Sequence, residues 1–305
     1  MSVDLLVQKI KEKGNPSVAG LDPKIDYVPE YIRKKAYAEY GQNLKGATEA
    51  IWEYNKGLID ALYDVVPAVK PQSAFYEMYG LCGEEVLHRT IAYAKEKGLY
   101  IILDVKRNDI GSTAEAYSKA YLGKVDIDGV ECDPCGVDCV TVNPYLGTDG
   151  VLPFVEDCKA YDKAIFALVK TSNPSSGELQ DLITDGSHIY EKVAECVNKW
   201  NKGTIGESGY GAVGAVVGAT YPEQATTLRK IMCESYFLVP GYGAQGGGAK
   251  DVVPCFNDDG LGAIVNSSRG IMCAYKKGDW KETEFAEAAR TEAIRMRDEL
   301  VSVIK

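Results

Sequence analysis

The sequence predicts an α/β protein: a closed (β/α)8 TIM barrel with insertions in its loops, occupying residues 1–305 as a single domain. Three observations carry this. Apolar, β-branched runs of strand length alternate almost end to end with longer segments of helical period. That is the pattern of a parallel sheet covered on both faces. Roughly eight such units follow one another, which fits a closed barrel better than an open sheet. No proline-rich or low-complexity linker divides the chain, and 305 residues suit one barrel with insertions.

The opening segment, Met1–Gly14, carries charges every few residues and reads as a short amphipathic helix, not a signal peptide. Strands are predicted at Ser17–Leu21, Val65–Lys70, Tyr100–Val105, Cys139–Asn143, Ala164–Lys170, Ala212–Gly218, Tyr236–Val239 and Gly262–Asn266. Helical periodicity marks Leu44–Tyr63, Gly83–Lys97, His188–Asn201, Tyr221–Met232 and Thr283–Ile304. Three segments, Pro23–Gln42, Gly123–Asp138 and Asn173–Ser187, exceed normal connection lengths and read as long loops. The third is rich in Ser, Gly and Asp and is expected to be a mobile lid.

Hydrophobic residues make up 46% and charged residues 26% of the chain, which excludes wholesale disorder. The net charge of −10, with no Lys/Arg block to offset it, argues against a nucleic-acid partner. An anionic substrate would therefore need a local positive pocket. The longest apolar stretches are strand-length, too short to span a membrane. Nine scattered cysteines point to a reducing compartment, so a cytoplasmic location is expected. There the acceptor-like Asn266-Ser267-Ser268 has no meaning.

Four constellations bear on chemistry. The strand Tyr100–Val105 runs into Asp104, Lys106 and Asp109; period-two alternation puts Asp104 and Lys106 on one face, with Asp109 in the loop beyond. At the C-terminal end of a barrel strand this is the catalytic position, and two carboxylates beside one ammonium can keep a lysine charged as a proton donor. An ordinary ion pair at a strand end is an equal alternative on these residues alone. Lys70 ends the second strand ahead of Pro71, and Asp22 ends the first. In Pro240–Gly248 a literal G-x-G-x-x-G (Gly241, Gly243, Gly246) is followed by Asp258 and Asp259, but the span between lacks room for a helix and a strand. An anion nest fits better, with Arg269 after the eighth strand completing a barrel phosphate site. Lys170-Thr-Ser-Asn-Pro-Ser-Ser-Gly177 suits either hydrogen bonding to a polar heterocycle or a plain turn.

Two other chemistries fit poorly. His88 lies within a helical stretch and His188 at a helix start, away from any strand C-terminus. Cys132, Cys135 and Cys139 form C-x2-C-x3-C, but no further ligand follows at finger-like spacing and Cys139 opens an apolar strand, so no metal is expected.

Asp104-Val-Lys106-Arg-Asn-Asp109-Ile110-Gly-Ser-Thr113 resembles the D-x-K-x-x-D-I-x-x-T signature of the orotidine 5′-phosphate decarboxylases. Ala68–Glu77, Lys170–Ser175, Pro240–Gly247 and Asn266–Gly270 are similar to the longer bacterial subfamily, in order. The resemblance implies a homodimeric barrel that converts orotidine 5′-monophosphate to UMP and CO2 without metal or cofactor, the last step of de novo UMP synthesis. It implies Lys106 as proton donor to C6, with Asp104 beside the departing carboxylate. It places Asp109, Ile110 and Thr113 in the neighbouring subunit's site. Lys70 and Asp22 would bind ribose hydroxyls, Ser172 the pyrimidine edge, and Gln245 and Arg269 the phosphate, with Pro240 also among the substrate-binding residues. The rival within the superfamily is a sugar-phosphate decarboxylase or aldolase using Mg2+.

Overall fold

Eight parallel strands close into a barrel, each hydrogen-bonded to the strands before and after it in the chain. They are β1 (Ser17–Leu21), β2 (Ala68–Pro71), β3 (Tyr100–Arg107), β4 (Cys139–Val142), β5 (Ala164–Lys170), β6 (Val213–Val217), β7 (Phe237–Val239) and β8 (Ala263–Ser267). The barrel closes through β1 and β8, with Ser17 opposite Val265. This computed structural model describes residues 2–243 and 247–304. β2 runs one residue past the expected end, through Pro71.

The longer helices among the described residues are α1 (Ser2–Lys13), α2 (Glu30–Tyr40), α3 (Leu44–Leu62), α4 (Leu81–Glu96), α5 (Gly111–Tyr121), α6 (Thr148–Tyr161), α7 (Ile189–Trp200), α8 (Pro222–Ile231) and α9 (Phe285–Val303), with single-turn helices at Ala74–Glu77, Ala249–Val252 and Arg269–Met272. Side chains alternate along each strand. Val18, Ala68, Tyr100, Ile102, Phe166 and Ile264 face an inner core, while Ala19, Val69, Ile101, Ile165 and Val265 pack outward under the helices. α1 buries Val3, Leu6, Val7 and Ile10, spaced i, i+3, i+4, i+7, into that inner core and so stops the N-terminal mouth of the barrel. Each such aliphatic side chain contributes about 1.5–3 kcal/mol on burial. The opposite mouth is left open.

The three long segments are more ordered than their composition suggested. Pro23–Gln42 contains α2, which buries only Ile32 and Ala36; that stripe is too thin to stand out as a helical period. Gly123–Asp138 carries an antiparallel hairpin, Val125–Ile127 with Val130–Cys132. Asn173–Ser187 begins with a single tight turn at Pro174–Glu178 and ends in a second hairpin, Ile183–Thr184 with Ser187–His188. Both hairpins turn on Asp-Gly. Asp128 and Gly129 have φ of 52° and 89°, and Asp185 and Gly186 have φ of 49° and 77°, which only a type I′ turn requires at both positions.

His88 lies inside α4 and His188 caps α7. Cys139 is fully enclosed at the start of β4, and burial pushes its thiol well up. Among the described residues no helix is long and apolar enough to cross a membrane.

Candidate active site

The strand that carries most of the chemistry departs from regular geometry where the charged residues begin. Ile102 and Leu103 pair with Cys139 and Val140 of β4, yet the next partners are Arg107 and Val142. β3 thus spends four residues where β4 spends two. The excess is taken up at Lys106, whose φ of 48° lies in the left-handed region that a lysine avoids. Such a conformation costs roughly 1–3 kcal/mol and persists only where the surroundings fix it. Thr141 of β4 fixes it here. Its Oγ1 accepts the Lys106 backbone N–H at 3.0 Å and donates to Asp104 Oδ1 at 2.7 Å.

Asp104 is the hub. Its Oδ1 also accepts from Lys106 Nζ at 2.6 Å, and its Oδ2 from Lys70 Nζ at 3.1 Å. Lys70 in turn lies 3.9 Å from Asp22 Oδ1. Burial alone would raise the Asp104 carboxyl, but Lys70, Lys106 and the Thr141 hydroxyl hold it far below the ordinary carboxylate range. For Lys70, likewise enclosed, burial would favour the neutral amine; Asp104 and Asp22 reverse that and push its pKa up. Both groups are therefore charged. Lys106 differs in reach: its side chain is 45% exposed, against 5% for Lys70, and it faces the open mouth.

These residues line a cavity of about 900 Å3 at the C-terminal ends of the strands. Asp22, Lys70, Asp104, Lys106, Ser172, Pro240 and Arg269 all reach it, from six strands. A separate ion pair at each strand end is thereby excluded, since the side chains form one network. Gln245 lies outside the described residues. Ahead of it, Gly241 and Gly243 take φ of 97° and 70°, and the Gly243 N–H is bonded to the carbonyl of Gly247 beyond it. Asp109, Ile110 and Thr113 do not line this cavity. Asp109 is half-buried on the rim beyond β3, accepting the Ile110 N–H, while Ile110 and Thr113 are exposed.

Residue-pattern reasoning missed several lining groups. Thr141 looked like an ordinary β-branched strand residue. Among the described residues no hydrogen-bond donor reaches the buried Asn266 Oδ1 or Asp22 Oδ1, so both acceptors can serve ligand hydroxyls. Asn266 sits at a strand end beside Arg269, and that position was the available signal. Lys24 and Tyr27, from the segment read only as an insertion, also reach the cavity.

Fold and site together define a class: a (β/α)8 barrel enzyme that sets a partly exposed ammonium beside a buried carboxylate in a cavity at the C-terminal ends of its strands. Residues 48–282 match the model of the orotidine 5′-phosphate decarboxylase / HUMPS family. The chain belongs to that family. It is 46% identical to an orotidine 5′-phosphate decarboxylase of Caldicellulosiruptor bescii over 273 residues, 90% of each chain. A Rhodopirellula baltica protein of the same name is 46% identical over 95% of this chain and 96% of its own. A crystal structure of a putative orotidine 5′-phosphate decarboxylase from Streptomyces avermitilis superposes with a TM-score of 0.78 at 30% identity, covering 99% of this chain and 95% of that one.

Proposed function

We propose that this protein acts as one barrel domain that removes the carboxylate of orotidine 5′-monophosphate, giving UMP and CO2. The observation that carries the reading is the Lys70–Asp104–Lys106 network at the floor of the cavity. Breaking the bond between C6 and the carboxylate leaves its electron pair on C6. The Lys106 ammonium delivers a proton to that carbon, CO2 departs, and the lysine regains its proton from solvent. An ammonium placed where the carbanion develops stabilises the charge that forms there. General-acid catalysis supplies only about 10²–10⁴-fold, so binding of the remote phosphate must contribute as well. Arg269 and the glycine loop with Gln245 are assigned to that phosphate, with Asp22 and Lys70 on the ribose and Ser172 on the base. The chemistry as written calls for no metal or cofactor. The Mg2+-dependent sugar-phosphate alternative is not favoured, since the relatives matched over nearly the whole chain are named as decarboxylases of the nucleotide.

Asp109, Ile110 and Thr113 do not line their own cavity, and this supports a homodimer in which they complete the partner's site. Ile110 and the side chains of Tyr145 and Leu146 are large, apolar and exposed on the described surface. The substrate and the nine free cysteines support a cytoplasmic location. The test is loss of orotidine 5′-monophosphate absorbance in the presence of EDTA, with UMP as product. Lys106→Ala should abolish turnover and leave the circular dichroism spectrum unchanged; turnover within tenfold of wild type, or a strict Mg2+ requirement, would refute the reading.

A further inference from the structure

Lys170 is a buried charge that the chemistry above does not use. It ends β5, it does not line the cavity, and its side chain is only 1% exposed. A cation so enclosed must be paired and hydrogen-bonded or it destabilises the fold. Both of its polar partners come from the segment that follows it. Nζ donates to Asp181 Oδ1 at 2.7 Å and to Ser176 Oγ at 3.0 Å. The ring of Tyr221 lies 4.5 Å from the ammonium and closes a further side.

Four residues between Lys170 and Asp181 reach the cavity. Thr171, Ser172, Asn173 and Gln180 all line it. Their placement depends on the same fold-back. Gln180 Oε1 accepts the Thr171 N–H at 2.9 Å, which ties the two ends of the segment together one residue inside the Lys170–Asp181 pair. Asp181 is held in turn by Gln224 Nε2 at 3.3 Å, and its carbonyl bonds to His188 Nδ1 at 2.8 Å. On the barrel side, Ser172 rests against Gly218, where any Cβ would come within 2.8 Å of the Ser172 Cα and Cβ. Ser172 is thus gripped between a bare glycine and a loop pinned by one buried ammonium.

We propose that Lys170 is a positioning residue for recognition of the nucleobase: its pairing with Asp181 and Ser176 holds Thr171–Asn173 and Gln180 against the pyrimidine. Hydroxyl and amide groups on this wall match the alternating carbonyls and N–H of a pyrimidine edge. The wall lies on β5 and β6, across the barrel from β1, so ribose and phosphate contacts at Asp22 and Arg269 are independent of it. The proposal rests on the nucleotide reading above.

Calorimetric titration with UMP and with ribose 5-phosphate, which lacks the base, separates base positioning from a general structural role. Lys170→Met and Asp181→Asn are the variants; Asp181 is partly exposed, so its substitution tests the pair even if Lys170→Met fails to fold. Loss of properly aimed base contacts should weaken UMP about tenfold or more and leave ribose 5-phosphate within about twofold. UMP affinity unchanged in Asp181→Asn, or equal loss for both ligands, would overturn the inference. Wild-type protein that fails to bind UMP would instead overturn the nucleotide reading and this inference with it.

Discussion

Replacing Lys70 by methionine keeps the length of the side chain and removes the ammonium that sits 3.1 Å from Asp104 Oδ2. At that separation an effective dielectric of ~20 gives about 5 kcal/mol of gross attraction. Desolvation of two buried ions offsets much of it, so the measurable effect depends on what the substitution leaves behind. In Lys70→Met, Asp104 stays buried and retains the more exposed Lys106 as counter-ion beside the Thr141 hydroxyl. In Asp104→Asn, Lys70 stays buried and retains only Asp22 at 3.9 Å. A buried charge that loses its partner destabilises by about 3–5 kcal/mol, and each single variant should fall near the lower end because one counter-ion remains. The double variant removes both charges and strands neither. It should be less destabilised than the sum of the singles by about 2 kcal/mol or more. Urea unfolding at one fixed protein concentration, followed by circular dichroism, measures all three. Additivity within about 0.5 kcal/mol would show that the two charges do not interact in the folded protein.

The same network fixes a pH dependence. Asp104 is held below its ordinary value of 3.8, so its contribution to stability is complete above that pH and is lost as pH falls toward the folded value. Lys70 is raised above 10.5, so its contribution is complete below that pH and is lost only as pH rises past the folded value. As the pH falls from about 4 to about 2, wild type should lose denaturant resistance more steeply than Asp104→Asn, and parallel slopes would contradict the depressed carboxyl. Thr141→Val removes the hydroxyl that serves both Asp104 and the strained Lys106 backbone, and kcat/KM should fall about ten- to a hundredfold for one charge-assisted hydrogen bond. Thr141→Ser should recover most of that loss, and a valine variant at wild-type rate would remove Thr141 from the site. Mixing inactive Lys106→Ala with inactive Asp109→Ala subunits should restore activity in mixed dimers, to about a quarter of wild-type sites under random exchange. No recovery after confirmed exchange would place Asp109 in its own chain's site.

Much of the barrel was legible because its strands are buried on both faces and so read as unbroken apolar runs. β1 and β5 match the expected bounds, and every predicted strand falls within three residues of its observed start. Charged residues ending such runs, Asp22, Lys70, Asp104 and Lys106, stand out for the same reason: an apolar strand has no other use for them. What stayed hidden was geometry without a compositional mark. Nothing in Leu-Asp-Val-Lys-Arg says that Lys106 adopts a left-handed backbone, since the cause lies in the pairing with β4 and in Thr141. α5 escaped because it encloses only Ala114 and Ser118; α6 does bury Val151, Phe154, Val155 and Cys158 at helical spacing, but Pro153 in its midst obscures the pattern. The two Asp-Gly hairpins did carry a local signal, flanked by Val-Asp-Ile and Val-Glu-Cys in one case, but length alone made both segments look like loops.

Those hairpins pair only with themselves and share no ladder with the barrel. Their tips can therefore gain or lose residues across evolutionary time without shifting any strand register. Asp181 lies before the second hairpin and already holds its contact with Lys170, so variation at Asp185-Gly186 leaves the base-facing wall in place. The stretch from Leu103 to Arg107 has the opposite character. One residue more or fewer there would rotate Lys106 away from Asp104 and strand the Thr141 hydroxyl, because the excess length of β3 is what aims the lysine. Insertions and deletions should thus collect at the Asp-Gly turns and be absent from this short stretch, which makes chain length a record of where the catalytic geometry is set.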